Sequence, residues 1–292
     1  MSDLTHRTIL LTGATNGIGL AAAHALAAQG ARLLLVGRDP ARTERVRDEV
    51  VGRSGNDAVE ILLADLASLA EVRRLAREVV DSGRPVHVLC NNAGAMFDRR
   101  LLTPEGFEMS FGLNYLSCFL LTELLRDTLE RSGDARIVNV ASDTYKQVKG
   151  LEFDDLQAER RYASLGAYAR SKLAMILWTR ELARRLEGSG TTANALHPGL
   201  VASNFGNNNG ALVRIGMLLM RPFSRSSEQG AETIVHLCGS PEVKGVSGQY
   251  FEDCASSELR PHATRDDDAR RLWDISERLV TGPEPTGSPA PG

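Results

Sequence analysis

Residues 8–37 read TILLTGATNGIGLAAAHALAAQGARLLLVG, and this stretch decides the fold. TILLT and RLLLV are short and apolar throughout, as expected of strands that are buried on both faces of a parallel sheet, and a helical pattern lies between them. Gly13, Gly17 and Gly19 stand where the first strand gives way to the helix. Glycines there allow a tight turn close to a pyrophosphate, and the first helical amides supply donors. An ordinary tight turn has the same glycines, but their place in a β-α-β pattern predicts a dinucleotide site.

The same alternation continues along the chain. Strand-length runs VEILLA, VHVLCN, RIVNVAS, TTANALHPG and GQYF alternate with helical patterns at 40–53, 68–82, up to 131, after 163 and at 226–239. This pattern predicts an α/β fold, a Rossmann-type doubly wound parallel sheet of seven strands with helices on both faces, in a single domain over 1–280. Residues 281–292 (TGPEPTGSPAPG) are rich in Pro, Gly and Ser, which predicts a disordered tail.

Composition narrows the functional classes. The chain is 42% hydrophobic and 24% charged, which favours a globular protein. Its net charge is −3 and positive and negative residues are interspersed, so there is no strong positive electrostatic field that would attract nucleic acid. The four cysteines lack metal-ligand spacing, so we expect reduced core residues and no metal site. The chain has neither a cationic stretch followed by an apolar one near its start nor a run of about 18 apolar residues. We therefore expect a cytoplasmic protein with no stable membrane anchor.

Tyr168 and Lys172 lie four residues apart in the run YARSK. On a helix this spacing places a phenol and an ammonium on one face. A nearby positive charge favours the phenolate, so we expect Lys172 to lower the pKa of Tyr168 and make it a usable acid. The spacing alone also fits a solvated lysine beside a surface tyrosine.

The end of the second strand, LLLVGRDPAR, bears on which dinucleotide binds. An acid there would hold the ribose hydroxyls of NAD, whereas an arginine accommodates the 2′-phosphate of NADP. Gly37 occupies the position of the acid, and Asp39 followed by Pro40 is typical of a helix N-cap. Arg38 is then available to a phosphate, which predicts NADP(H); an exposed surface arginine is the alternative.

Several motifs together resemble short-chain dehydrogenases/reductases. They are TGATNGIG, NNAG at 91–94, Asn114 in LNYLS, Ser142 in RIVNVAS, YARSK, and HPG at 197–199, and the resemblance spans residues 8 to about 280. SKLAMILWTRELARRLEGSG, ALHPGLVASN and EQGAETIVHL are similar to the retinol dehydrogenase-like branch. The resemblance implies an enzyme that interconverts a ketone or aldehyde and its alcohol.

The resemblance also implies roles for four residues. Tyr168 would be the general acid or base, and Lys172 would lower its pKa and hold the nicotinamide ribose. Ser142 would hydrogen-bond the carbonyl oxygen, and Asn114 would hold a water that links Lys172 to solvent. Read on their own, Ser142 could be satisfied by backbone at a strand end, and Asn114 could bridge a helix to a strand.

The implied cofactor contacts extend over much of the chain. Asn92 would tie the fourth strand to its neighbour, and Asp65 would reach the adenine, although Asp65 could instead cap the next helix in competition with Ser68. The full set is Gly13, Thr15, Asn16, Gly17, Ile18, Gly19, Arg38, Asp65, Leu66, Asn92, Ala93, Gly94, Tyr168, Lys172, Pro198, Gly199, Val201 and Ser203.

Variable segments suggest the substrate and the assembly. Residues 204–222 combine a polar loop with an apolar helix, which we expect to be a lid; a core helix and a membrane-leaning helix are alternatives. With Met96, Phe97, Tyr145 and Phe205 as further walls, we expect a bulky hydrophobic small-molecule carbonyl or alcohol. Ser142 and Tyr168 lie 26 residues apart, and the segment KGLEFDDLQAERRY between them resembles a lengthened loop of this family, so a monomer and a homodimer are both open. A cofactor-binding regulator that does not catalyse is the alternative function.

Overall fold

One sheet forms the centre of the protein, in a computed structural model that describes residues 3–201 and 225–282. Its strand order is β3-β2-β1-β4-β5-β6-β7-β8. The strands are β1 Thr8–Thr12, β2 Arg32–Gly37, β3 Val59–Leu63, β4 Val88–Asn91, β5 Arg136–Val140, β6 Thr192–His197, β7 Tyr250–Glu252 and β8 Ala255–Ser256. All of β1 and all of β5 are buried, which explains why the strands are rich in apolar residues, although Arg136 and Asn139 are buried polar residues within β5.

The sheet confirms the predicted fold but has one strand more than predicted. Strands β1 to β7 are parallel, and β8 pairs antiparallel with β7 at the edge. Asp253 and Cys254 form the turn between them, with φ of 53° and 61°. A strand of two residues carries no periodicity, so the prediction of seven strands was wrong by this edge element.

Helices cover both faces. Helices α1, α2 and α7 enclose one hydrophobic core, and α3, α4, α5, α6 and α8 enclose the other. Their bounds are α1 Gly17–Ala28, α2 Pro40–Ser54, α3 Leu69–Asp81, α4 Met109–Phe111, α5 Ser117–Glu130, α6 Ser164–Arg185, α7 Ser227–Gly239 and α8 Asp266–Thr281. No helix among the described residues is both long enough and apolar enough to cross a membrane.

The strand order creates a crevice between β1 and β4. Strand β1 pairs with β2 on one side and with β4 on the other, so the chain leaves β1 in one direction and later returns on its other side. The connections after the two strands diverge at their carboxyl ends, which is where open α/β sheets bind ligands. The glycine-rich turn follows β1, and NNAG begins at the end of β4.

The long helical pattern that ends near 131 is interrupted. Gly112–Leu116 form a π-helical turn between α4 and α5, so that Asn114 sits where the regular hydrogen-bond ladder is broken. π-helical turns of this kind are frequent at functional sites, but the hydrophobic pattern gives no signal for them.

Three further expectations concern the cysteines, the C-terminal tail and the lid. Cys90, Cys118 and Cys238 are buried as expected, whereas Cys254 lies half-buried in the β7–β8 turn, so its expected core position was wrong. Thr281 was expected in the tail but is the last residue of α8. Residues 283–292 of that tail, the expected lid at 204–222 and Ser203 lie outside the described residues.

Helix α8 packs on the hydrophobic core through one large aromatic side chain, that of Trp273. Trp273 is 1% exposed, its ring centroid lies 5.1 Å from that of Phe119, and the Arg185 guanidinium lies 4.1 Å from the ring. We predict that Trp273→Ala lowers the free energy of unfolding by about 3–5 kcal/mol, because a large buried side chain is lost. Urea unfolding measures this, with Arg270→Ala on the exposed face of α8 as the control, expected within about 0.5 kcal/mol of wild type. Equal effects of the two changes would contradict the docking.

Candidate active site

The glycine-rich turn after β1 has the geometry of an anion cradle. Gly13 has φ of +65° and Gly17 has φ of +52°, values that favour glycine. A Cβ at Gly13 would lie 2.8 Å from Ala93 Cα, and one at Gly19 would lie 2.3 Å from Gly13 O. The Asn16 side chain does not cap α1, and the first turn of α1 has no acidic residue. The first amides of α1 and its positive dipole end therefore suit a phosphate group.

Asn92 fixes this turn to the neighbouring strand. Its Nδ2 donates to Thr12 O at 2.8 Å and to Gly13 O at 3.1 Å, while Thr12 Oγ1 accepts from the backbone amides of Asn92 and Ala93 at 2.9 and 3.0 Å. Asn92 thus ties β4 to β1, as expected. Its Oδ1 is buried and has no hydrogen-bond partner among the described residues. A buried acceptor in this state is what a site that binds a polar ligand leaves for that ligand.

The end of β2 excludes an acidic side chain at position 37. A Cβ at Gly37 would lie 2.1 Å from Thr43 Oγ1 and 2.9 Å from Thr15 Cγ2. Asp39 Oδ1 accepts from Arg42 N at 2.7 Å, which confirms its N-cap role. Arg38 is exposed, as is Arg42, whose Nε donates to Thr15 O at 3.3 Å. The sequence analysis did not single out Arg42 beside Arg38. The feature that could have pointed to it is its position three residues after the Asp39 cap, in the first turn of α2.

The loop after β3 shows whether Asp65 caps the next helix. Its Oδ1 accepts from Ala67 N at 3.0 Å, within a local turn. Ser68 caps α3 by accepting from Glu71 N at 3.4 Å, so the cap is Ser68 and not Asp65. Leu66 is buried in the core, which leaves the Asp65 loop anchored at the carboxyl end of β3.

Tyr168 and Ser142 meet at the end of β5. Ser142 follows β5, Tyr168 projects from α6, and the two side chains are hydrogen-bonded. Ser142 Oγ also accepts from Thr144 N at 3.2 Å. The serine is therefore satisfied by backbone, as one interpretation had it, and is joined to the tyrosine, as the resemblance implied. Both side chains are buried.

The pKa values correct one expectation. Burial raises the pKa of Tyr168 above its usual value, and the hydrogen bond with Ser142 only partly opposes this. Burial lowers the pKa of Lys172 to about 8, with Cys118 opposing. The Lys172 Nζ lies 5.6 Å from the centroid of the Tyr168 ring and donates to Val140 O at 2.7 Å. The expected lowering of the Tyr168 pKa was wrong because desolvation outweighs the opposing hydrogen bond with Ser142, and Lys172 does not offset it. The phenol is therefore protonated at neutral pH.

Asn114 bridges three elements. Its Oδ1 accepts from Ala95 N at 2.8 Å, and its Nδ2 donates to Ala95 O at 2.9 Å and to Ser171 Oγ at 3.0 Å. Ser171 Oγ in turn donates to Tyr168 O at 2.7 Å. Asn114 is therefore a buried bridge, and its part in holding a water remains a prediction. A Cβ at Gly94 would lie 3.2 Å from Asn114 Oδ1 and 3.3 Å from Lys172 Nζ, so these three residues meet.

The segment after β6 closes the other side of the crevice. Pro198 and Gly199 follow β6, and Val201 forms a bridge with Arg225. A Cβ at Gly230 of α7 would lie 2.5 Å from Val201 Cγ2 and 2.8 Å from Ile18 Cγ2. This glycine lets α7 hold the segment next to the start of α1, so the predicted cofactor residues at 18 and 201 come together.

The structure does not place all of the predicted substrate-wall residues at the site. Tyr145 is fully buried, lies 5.7 Å from Tyr250 between ring centroids, and accepts from Arg260 N at 3.2 Å, so it supports the site from behind and is not a wall. Met96 and Phe97 are half-buried, and Phe205 lies outside the described residues. Within the segment at 149–162, Phe153 stacks under Arg271 of α8, with 4.4 Å between guanidinium and ring.

Asp143, His197 and Glu252 bring ligand-type atoms within 4.8 Å of one another at the ends of three strands. The Asp143 carboxylate accepts from Tyr250 and Lys146, and His197 Nδ1 accepts from Asp143 N at 3.3 Å. The Asp143 and His197 atoms are thus engaged in hydrogen bonds within the protein, and we assign these two residues to a hydrogen-bonded network.

A family model described as short chain dehydrogenase matches residues 7–211. The chain belongs to the short-chain dehydrogenase family. It is 43% identical over 295 residues to human retinol dehydrogenase 14, covering 94% of this chain and 86% of the relative. Mouse retinol dehydrogenase 12 is 39% identical over 274 residues, with the same coverage of both chains. The predicted family and its retinol dehydrogenase-like branch are thus confirmed.

Solved structures share the fold of this chain. A crystal structure of an uncharacterised protein from Mycobacterium paratuberculosis has a TM-score of 0.76 and 28% identity, covering 98% of this chain and all of the other. The Pseudomonas aeruginosa RhlG/NADP active-site complex has a TM-score of 0.68 and 25% identity, covering 86% of this chain and 97% of the other. This short-chain dehydrogenase is therefore an oxidoreductase with a nicotinamide cofactor, and the cradle at Gly13–Gly19 fits its phosphates.

The lowered pKa of Lys172 predicts an alkaline limb. As pH rises through about 8, Lys172 loses its proton and its charge. We expect kcat/KM for the reduced nicotinamide cofactor, which reports the free enzyme, to fall there. Lys172→Arg keeps a charge at higher pH and should move the limb upward by more than about one unit, while initial rates measured from about pH 7 to 10 show the position of the limb. A limb at the same pH in both proteins would assign it to another group.

Proposed function

We propose that this protein is an NADP(H)-dependent oxidoreductase that interconverts a bulky hydrophobic ketone or aldehyde and the corresponding alcohol. The observation that carries the proposal is the buried, hydrogen-bonded pair of Tyr168 and Ser142, with the Lys172 ammonium 5.6 Å from the phenol ring. A proton donor and a second hydroxyl are what carbonyl reduction requires at one oxygen atom.

The chain's own residues handle the proton and the developing charge. A bound nicotinamide supplies the hydride in reduction and accepts it in oxidation. Tyr168 donates its hydroxyl proton to the carbonyl oxygen, and its raised pKa keeps that proton in place at neutral pH. The Ser142 hydroxyl donates to the same oxygen and stabilises the negative charge that develops there. In oxidation the deprotonated form of Tyr168 accepts the proton of the alcohol.

Steric and charge arguments support NADP(H) over NAD(H). Thr43 excludes an acidic side chain at Gly37, where one would hold the ribose hydroxyls. Arg38 and Arg42 are both exposed beside the cradle, and Arg42 contacts Thr15 of the glycine-rich turn. Two guanidinium groups suit the 2′-phosphate. The similar Pseudomonas aeruginosa structure is a complex with NADP, which supports the same choice.

The relatives support an apolar substrate. Those with 39–43% identity are named for retinol, a large apolar alcohol. Half-buried Met96 and Phe97 follow Gly94, which itself adjoins Lys172. These residues would give the reacting carbonyl an apolar surround, as is usual for small-molecule sites.

Tyr168→Phe tests the chemistry. We expect turnover of a panel of apolar ketones and aldehydes to fall by at least about 100-fold, because the proton donor is removed. NADPH absorbance measures turnover, and fluorescence titration checks that NADPH binding stays within about twofold, since the phenyl ring keeps the packing. If both proteins bind NADPH and neither turns over any carbonyl, the protein is a cofactor-binding regulator and the proposed function fails.

Arg38→Ala and Arg42→Ala test the cofactor choice. Each should raise KM for NADPH by about 10–100-fold, the value of a charge-assisted hydrogen bond, and leave KM for NADH within about twofold. Arg53→Ala, at the far end of α2 and 68% exposed on its side chain, is the matched control and should change neither. A wild-type preference for NADH, or an unchanged KM for NADPH in both variants, would contradict NADP(H) specificity.

A further inference from the structure

A hydrogen-bonded network holds the turn that carries Ser142. Ser142 is the N-cap of a 3₁₀ turn formed by Asp143–Gln147. The backbone amide of Asp143 donates to His197 Nδ1 at 3.3 Å, and His197 is the last residue of β6. The Asp143 carboxylate accepts from Tyr250 of β7 at 3.0 Å and from Lys146 of the same turn at 2.7 Å. Two neighbouring strands therefore fix the residue directly after Ser142.

The hydroxyl of Ser142 depends on this turn. Thr144 N donates to Ser142 Oγ at 3.2 Å, and Tyr145 N donates to Ser142 O at 3.2 Å. The amide of Thr144 thus holds the serine hydroxyl, and the amide of Tyr145 holds the serine carbonyl. A shift of the Asp143 amide would move these donors together and change the angle at which Ser142 meets Tyr168.

The contact with His197 requires one protonation state. A ring nitrogen that accepts from an amide must carry a lone pair, so Nδ1 is unprotonated and the neutral ring carries its proton on Nε2. In the doubly protonated ring, Nδ1–H would face the amide N–H of Asp143. Hydrogen bond and protonation therefore exclude each other.

The surroundings of His197 favour the neutral ring. Burial is the largest influence and lowers the pKa of His197 below its usual value. Asp143 and Glu252 act in the opposite direction, while Lys146 and Arg225 reinforce the lowering. Asp253, which also faces the ring, is paired with Arg225. The contact is therefore intact at neutral pH, and it is lost as pH falls through the pKa of His197, below about 6.5.

We propose that His197 is a positioning residue, which holds the Ser142 turn in its catalytic geometry when the imidazole is neutral and releases it when the imidazole is protonated. The inference rests on the proposed carbonyl reduction and deepens it. Tyr168 keeps its proton and Lys172 keeps its charge as pH falls, so neither produces an acid limb. His197 does: kcat for carbonyl reduction should fall by up to about tenfold for each pH unit below its pKa.

Three variants separate this role from a structural one. His197→Phe removes the acceptor and should lower kcat at every pH. His197→Asn places Oδ1 close to the position of Nδ1 but does not titrate, so it should recover most of the lost kcat and show no acid limb. The matched control is His262→Gln, because His262 Nε2 contacts Tyr145 O at 3.1 Å as a donor and its protonation breaks nothing. This control should keep the wild-type limb. An acid limb in His197→Asn equal to that of wild type would overturn the proposal.

Nuclear magnetic resonance gives a readout that does not depend on turnover. In full-length protein labelled with ¹⁵N-histidine, His197 should show a proton on Nε2 and none on Nδ1 at about pH 7.5, and should titrate below about 6.5. A proton on Nδ1, or a pKa at or above that value, would overturn the proposal even where a variant does not fold. If wild type turns over no carbonyl, the proposed function fails by itself. If wild type turns over a carbonyl but shows no acid limb, only the proposed role of His197 is refuted.

Discussion

Burial of the Lys172 ammonium is the constraint on which the site depends. The residue is 3% exposed, and burying an ammonium without a partner costs several kcal/mol. Lys172 Nζ donates to Val140 O, at the last residue of β5, across 2.7 Å. Helix α6 must therefore stay docked on that strand end, and Tyr168, one helical turn earlier, is carried to Ser142 two residues beyond Val140. A single buried charge thus couples the position of the acid to the position of its co-donor.

Buried amides extend this docking across the sheet. Asn91 Nδ2 donates to Asn139 Oδ1 at 2.9 Å, and Asn139 Nδ2 donates to Thr179 Oγ1 at 2.9 Å, which joins β4, β5 and α6. Hydrogen bonds made where water is excluded fix one register, because any slip leaves a buried polar group unpaired. The same strand β4 leads to Asn92 and Gly94 at the cofactor crevice. The nucleotide half and the chemical half of the site are therefore held at one spacing.

The sequence predicts the features that follow from local patterns. Apolar runs locate the parallel strands because both faces are buried, and the four-residue spacing places Tyr168 and Lys172 together because a helix has a fixed pitch. The two-residue β8 and the π-helical turn at Gly112–Leu116 leave no such pattern. The direction of the Tyr168 pKa shift depends on how completely the fold excludes water from the phenol, and the spacing of residues in the sequence carries no information on that burial. His197 reaches Asp143 across 54 residues only through the pairing of β5 with β6.

The direction of the Tyr168 shift makes the two directions of reaction unequal. A raised pKa keeps the buried phenol protonated but makes it a weaker acid, and each unit by which its pKa exceeds the ambient pH costs about 1.4 kcal/mol to form the phenolate. Reduction uses the form that is already populated. Oxidation must recover the cost from groups that stabilise the phenolate, and the hydrogen bond from Ser142 is one that the chain provides. The placement of Ser142 therefore governs oxidation as well as reduction, through the tyrosine as well as through the substrate oxygen.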